Sequence, residues 1–359
     1  MRRQIPPLTS LRFLAALWVF VFHLYLWHGG KAPGVLDRLL LAGPLGMAFF
    51  FVLSGFILAH SAAGTDPLAS YRAYVARRFA RIYPIYLVVL LSSWAFVGFA
   101  GELGESPVRS GVAHGVADLT LTNAWFPQMF MGGFIRNGTW SLSVEAFFYA
   151  LFPLVFFHAK GLSDRALVIG IRWAVGLLCF FSLMGKYVQP FDPGARFAVF
   201  YSMPIFRLPE FVAGVFAGVL ATRDSVPAPT GRTAVWTVIG TVLLVIIFAK
   251  ALPEVALGVF LVPCLLVVFA YFTRREDGPA VRLFSHPVFV FLGEASFALY
   301  LVQLVTLPLF AVHAKAMDRN HAVALCFVVT LALACLAHLL VERPLRPLVA
   351  RWLSPRPPA

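Results

Sequence analysis

Runs of about 20 consecutive, mostly apolar residues recur along this chain from Leu8 to Leu340, and that recurrence decides what it can fold into. A helix rising about 1.5 Å per residue needs about that length to cross the hydrocarbon core of a bilayer. Within that core each backbone N–H and C=O must be satisfied inside the segment itself. Ten runs meet the requirement: 8–28, 43–61, 82–101, 139–158, 166–187, 197–221, 233–251, 254–272, 287–312 and 321–341. The alternating pattern of a membrane β-barrel is absent. The expected fold is an all-α polytopic membrane protein with about ten transmembrane helices. The charged fraction agrees, at 13% against roughly 25% in a soluble domain, as does a mean hydropathy of +0.83.

The excess of 29 Lys and Arg over 16 Asp and Glu would suit a nucleic-acid binder, but these basic residues sit in short loops between apolar runs. Placing the N-terminus in the cytoplasm puts seventeen of them inside, among them Arg72, Arg77, Arg78, Arg81, Arg274, Arg275, Arg343 and Arg346. Nine fall outside, including Lys31, Arg38, Arg109, Arg136 and Lys250. The bias follows the positive-inside rule and predicts both termini in the cytoplasm, with membrane lipids and not nucleic acid as the surroundings.

Cys179, Cys264, Cys326 and Cys335 all lie in apolar runs without the paired spacing of a zinc or redox site, and are read as core or lipid-facing residues. No metal is expected. The Met1-Arg2-Arg3 start has the outline of a signal peptide, but Arg12 and His23 interrupt the run that follows and no small-residue cleavage site appears, so a retained helix is expected. No repeat suggests inverted halves. The chain reads as one membrane domain, 1–348, with a short basic, Pro-rich cytoplasmic tail at 349–359.

Two segments depart from simple spans. The stretch 102–138 begins with Glu102 and Glu105 and is too polar there to cross, while 116–134 is apolar enough to lie re-entrant or interfacial. Span six carries Pro204 and Pro209 around Arg207 and Glu210, which predicts a broken helix with an intrahelical ion pair lining a cavity. Glu342-Arg343-Pro344 reads as the terminator of the last span, with a structural role.

An ionisable group within a span costs about 2.5–3.5 kcal/mol on insertion scales and persists where it faces protein, water or ligand. Arg12 and His23, eleven residues apart, return to one helical face about 16 Å apart along the axis. Either Arg12 snorkels to headgroups and His23 bonds a neighbouring helix, or His23 is a general base and Arg12 holds an anionic part of a substrate. Arg78 and Arg81, one turn apart at the start of span three, are topological anchors or a phosphate clamp. Glu145, within Trp140-Ser141-Leu142-Ser143-Val144-Glu145, is helix-pairing glue or the group that orients and charge-stabilises His23.

In order along the chain, Leu11-Arg12 through Phe22-His23, Phe50 to Phe56, Arg78 to Pro84, Trp140 to Tyr149, Arg207 to Gly214 and Ser296 to Leu301 resemble the acyltransferase family 3 membrane proteins over nearly the whole length. That family includes bacterial O-acetyltransferases of surface polysaccharides. The resemblance implies that Arg12 and His23 are the family's Arg-ten-residues-His motif, with His23 catalytic, and that Arg78 and Arg81 are its Arg-x-x-Arg motif. It implies cytoplasmic acyl-CoA, acetyl-CoA first among candidates, as donor to Arg12, Arg78 and Arg81. A carbohydrate or lipid-linked acceptor hydroxyl would approach from the other side. The chain departs from many relatives at Thr9-Ser10, where Asp-Gly is common, and at Gln303, where a histidine often follows Tyr300-Leu301, a difference that bears on acceptor choice. The same buried charges would also serve a transporter of a lipid- or sugar-like substrate, whose signature is flux independent of coenzyme A, or a purely structural membrane protein, in which they tolerate apolar replacement.

Overall fold

The computed structural model describes residues 5–98, 108–126, 134–187, 197–223, 225–252, 254–275 and 277–353. Among these residues the chain is helical without a strand, and ten helices are long and apolar enough to cross a membrane. In chain order the α-helices are α1 Pro6–His28, α2 Gly34–Leu41, α3 Leu45–Ala62, α4 Tyr71–Ser93, α5 Val108–Leu119, α6 Phe134–Gly161, α7 Asp164–Tyr187 and α8 Pro204–Leu220. There follow α9 Gly231–Phe248, α10 Glu254–Arg274, α11 Pro279–Phe284, α12 Pro287–Glu294, α13 Ser296–His313, α14 Arg319–Ala337 and α15 Arg343–Leu353.

Helix α1 packs on α3, α12, α13 and α14, and the other elements close around this group. On the periphery, α7 and α9 turn Trp173, Val235, Trp236 and Ile247 outward. In water so large an apolar surface would be an aggregation site; on a helix of spanning length it is the lipid face.

Without water to drive helices together, a membrane bundle depends on close packing and small residues at its crossings. The crossing of α3 and α8 is built this way. A Cβ on Gly214 would lie 2.1 Å from the Val52 carbonyl oxygen, one on Gly218 2.4 Å from that of Phe56, and one on Gly55 2.2 Å from that of Phe211. The two backbones therefore touch, Gly214 and Gly218 being a small-xxx-small pair one turn apart. Phenylalanines fill the space on either side: Phe148 stacks on Phe211 at 4.5 Å, and Phe51 meets Phe148 edge-on at 5.4 Å.

Three expected boundaries move, and a fourth segment behaves as expected. Span three begins at Tyr71, not at 82, so Arg78 and Arg81 lie two to three turns inside α4. The arginines lowered the local hydropathy, but nothing in Tyr71–Arg81 breaks a helix. Span nine divides at Ala295 into α12 and α13, because Gly293 sits directly on the Thr9 carbonyl, where a Cβ would lie at 2.0 Å, and the chain must redirect. Span six is interrupted as its prolines suggested: a π turn at Phe197–Tyr201 ends before Pro204 opens α8, and Pro209 is carried within the helix. Glu342-Arg343-Pro344 does not terminate the last span. A π turn, His338–Glu342, leads directly into α15, and the helix continues through Pro344. The helix thus runs to Leu353, into the stretch expected as a tail, and 354–359 lie outside the described residues.

Of the 102–138 stretch, Glu102 and Glu105 lie outside the described residues. Its middle forms α5 and a 3-10 turn, Asn123–Trp125, docked on the bundle. The Tyr86 hydroxyl donates to the Asp118 carbonyl at 2.8 Å, Tyr83 donates to that of Leu119 at 3.0 Å, and the Asn123 amide donates to the Thr139 hydroxyl at 2.8 Å.

Overpacking the glycine crossing is expected to cost about 1–3 kcal/mol or more. Gly55→Leu or Gly214→Val should lower the thermal midpoint in detergent, or the folded yield, whereas Gly176→Ala on α7, whose added Cβ meets nothing within 4 Å, should leave both unchanged.

Candidate active site

Arg12 and His23 both belong to α1, which is unbroken between them, so their separation is about 16 Å along one helix. Each side chain is enclosed in the bundle yet keeps part of its surface accessible. The same holds for Arg78, Arg81 and Glu145. Arg207 and Glu210, by contrast, are 1% exposed each and sealed.

The end of the bundle where α1 begins holds a charge cluster. Arg12 lies within electrostatic reach of Arg81, Glu342, Glu145 and Tyr149. Arg81 in turn interacts with Tyr149, Glu145 and Glu342. Arg78 stands over the rings of Tyr74 and Tyr149, at 5.8 and 5.9 Å, with no hydrogen-bond partner for its buried Nε donor. Arg346, at the exposed rim on α15, reaches Arg81, Arg78, Glu342 and Tyr149. Four guanidinium groups thus face two carboxylates, an imbalance that favours an anionic ligand. Arg78 also lines a cleft of about 130 Å³ between α4 and α6, walled by Phe79, Tyr83, Leu121 and Tyr149.

Glu145 is held by two hydroxyls. Ser54 donates to its Oε1 at 3.2 Å, and Tyr149, one turn along α6, donates a short hydrogen bond to the same oxygen. Glu342 is buried and bonded to His338 Nδ1 at 2.9 Å. Each carboxylate therefore reaches the arginines already fixed in orientation.

His23 is placed by a different group. Its Nδ1 is 3.0 Å from Oε1 of Gln303, a residue of α13 with no exposed surface. The Gln303 amide nitrogen donates to the Tyr300 carbonyl at 3.1 Å. The Tyr300 hydroxyl donates to the Gly138 carbonyl at 2.5 Å and lies 2.8 Å from the Ser141 hydroxyl, which ties α13 to α6. The residues expected to act together are thus divided: Arg12, Arg78, Arg81 and Glu145 converge at one end, and His23 stands further along α1 with Gln303. Where Glu145 was expected to orient His23, the hydrogen bond comes from Gln303, and Glu145 serves the arginines.

Arg207 and Glu210 do form the expected i,i+3 ion pair, at 3.0 Å, with Arg207 over the rings of Phe51 and Tyr201 at 5.2 and 5.0 Å. The pair is buried at the core of the bundle. Among the described residues no group of three His, Cys, Asp or Glu side chains is arranged to hold a metal ion. Glu342 and Arg346 were missed as site residues. Their signal was the His338, Glu342, Arg346 spacing of four, one face of a helix, hidden by reading Pro344 as a stop.

Residues 7–339 match the model of a family described as an acyltransferase domain. The chain is 30% identical over 323 residues to the acyltransferase MdmB of Streptomyces mycarofaciens, covering 85% of this chain and 79% of that one. It is 24% identical over 379 residues to a putative O-acetyltransferase of Staphylococcus aureus, covering 99% of this chain and 59% of the relative. Over 324 residues it is 24% identical to the peptidoglycan O-acetyltransferase OatA of Listeria monocytogenes, covering 84% of this chain and 49% of that protein. The chain thus spans between half and three fifths of the length of the staphylococcal and listerial relatives. No solved structure matches. A ten-helix membrane bundle that presents the Arg12 and His23 pair and is matched by this family model from residue 7 to residue 339 belongs to the acyltransferase family 3 membrane proteins and is an O-acyltransferase.

Proposed function

We propose that the protein moves an acyl group, acetyl foremost, from cytoplasmic acyl-CoA to a hydroxyl of a cell-envelope glycan, lipid-linked saccharide or related acceptor, within the bacterial inner membrane. The observation that carries this reading is the cluster of Arg12, Arg78, Arg81 and Arg346 against, among the described residues, Glu145 and Glu342, with His23 about 16 Å further along α1. Coenzyme A carries a pyrophosphate and a further phosphate on a long flexible arm that ends in the thioester. Guanidinium groups bind such phosphates through paired, charge-assisted hydrogen bonds. With both termini in the cytoplasm, as the excess of basic residues there predicts, the cluster opens to the cytoplasmic pool and the arm extends along α1 towards His23.

His23 takes the proton of the acceptor hydroxyl as its oxygen attacks the thioester carbonyl. The tetrahedral adduct collapses with cleavage of the carbon–sulfur bond, and the proton on His23 passes to the departing thiolate. Products are the acyl ester and free coenzyme A, and His23 returns to its neutral form. Glu145 acts through Arg12 and Arg81, holding the clamp in place between donors.

Membranes incubated with radiolabelled acetyl-CoA and cell-envelope material should label the acceptor with wild-type protein. His23→Ala should lower labelling by roughly 10²–10⁴-fold at unchanged expression. Equal labelling by both would overturn the mechanism, and substrate flux without coenzyme A dependence would indicate a transporter. Arg81→Gln and Arg346→Gln should each raise the donor KM, Arg81 by roughly tenfold or more because it lies inside the cluster and Arg346 by less because it sits at the rim. Measurement at saturating donor should return most of the kcat.

A further inference from the structure

We infer that Gln303 is the positioning residue that holds His23 in its Nδ1–H tautomer, so that the lone pair needed for proton abstraction lies on Nε2. This rests on the reading of His23 as the base. The departure at Gln303, read in the sequence as bearing on the acceptor, acquires a role in the chemistry itself.

The argument follows from which atoms can donate. A glutamine amide has one accepting oxygen and one donating nitrogen, and the surroundings decide which way it faces. The Tyr300 carbonyl, 3.1 Å from the amide nitrogen, can only accept. Turning the amide over would set two accepting oxygens against each other in a position with no exposed surface. The amide is therefore fixed with Oε1 towards the imidazole. Oε1 can only accept, so Nδ1, at 3.0 Å, must carry the hydrogen. A neutral imidazole has one N–H, which leaves Nε2 as the basic atom.

The surroundings keep this arrangement rigid. Tyr300 is anchored at its other end, its hydroxyl donating to the Gly138 carbonyl and meeting Ser141. A Cβ on Gly138 would lie 2.2 Å from the Leu304 side chain, so α6 and α13 are in close contact beside Gln303. The line from Gly138 through Tyr300 and Gln303 to His23 joins three helices by atoms whose donor and acceptor roles are all determined. The same hydrogen bond fixes the ring plane, which a base needs in order to meet a hydroxyl at bonding distance.

The test is the ¹⁵N spectrum of the full-length protein in lipid nanodiscs, labelled at histidine and recorded at a pH of about 8, above the ordinary imidazole range. The His23 signals are identified by their loss in His23→Gln. Wild type should show a protonated Nδ1 and an unprotonated Nε2. Gln303→Leu should shift the hydrogen towards Nε2 and lower kcat for acyl transfer by roughly tenfold or more, with donor KM unchanged. Gln303→Glu, which keeps an accepting oxygen, should retain the Nδ1–H signature. An unprotonated Nδ1 in wild type overturns the inference whether or not the variants fold, and so does a Gln303→Leu spectrum with the wild-type tautomer. Retained acyl transfer by His23→Gln would instead remove the base reading, with the tautomer still measurable in wild type.

Discussion

An arginine survives inside a lipid bilayer only where other groups compensate for its removal from water, and the rest of this structure follows from how that is done for Arg12, Arg78 and Arg81. The compensating groups come from distant parts of the chain: Glu145 and Tyr149 from α6, Glu342 from the π turn after α14, and Tyr74 from α4 itself. Apart from Tyr74 with Arg78, which is one turn away on α4, these pairings are not local, so the cluster exists only once the bundle has closed. Among the described residues the carboxylates are fewer than the guanidinium groups, so the cluster is not merely an internal ion pair. Arg207 and Glu210 show the other outcome, one charge of each sign sealed together at 1% exposure each. A buried pair of that kind adds little net stability, though losing one partner alone would strand the other.

Holding these groups in register falls to close packing. The contact of α3 with α8 through Gly55, Gly214 and Gly218 places Ser54 where it can reach Glu145, so a glycine crossing determines the orientation of a carboxylate. The seat of Gly293 on Thr9 does the same for the other face of α1. It divides span nine at Ala295 and sets the register of α13, which places Gln303 against His23. The arginine cluster and His23 are thus positioned by two separate backbone contacts, both made by residues without side chains.

Much of this was legible in the residues. Ten spans, the break before Pro204 and the i,i+3 pairing of Arg207 with Glu210 follow from hydropathy, proline chemistry and helical spacing, and the structure agrees on each. Arg12, His23, Arg78, Arg81 and Glu145 stand out in the sequence as costly charges in apolar runs, and the structure brings Arg12, Arg78, Arg81 and Glu145 together while His23 stands apart. Their partnerships were not legible, because helical periodicity says which face a residue occupies and nothing about which helix faces it. For Glu145 the sequence left helix pairing and orientation of His23 both open, and the structure sets it within reach of Arg12 and Arg81. Glu342 and Arg346 were lost for a local reason: a proline three residues past a span looks like a stop, yet here a π turn carries the helix through it.

The central claim is a division of labour along α1, with phosphate binding at the Arg12 end and chemistry at His23. Its most direct test is equilibrium binding of coenzyme A to the full-length protein in nanodiscs, comparing His23→Ala with Arg12→Gln. The account predicts that His23→Ala binds coenzyme A with the wild-type Kd, while Arg12→Gln weakens binding by roughly tenfold or more. Loss of binding in His23→Ala, or wild-type binding in Arg12→Gln, would contradict it.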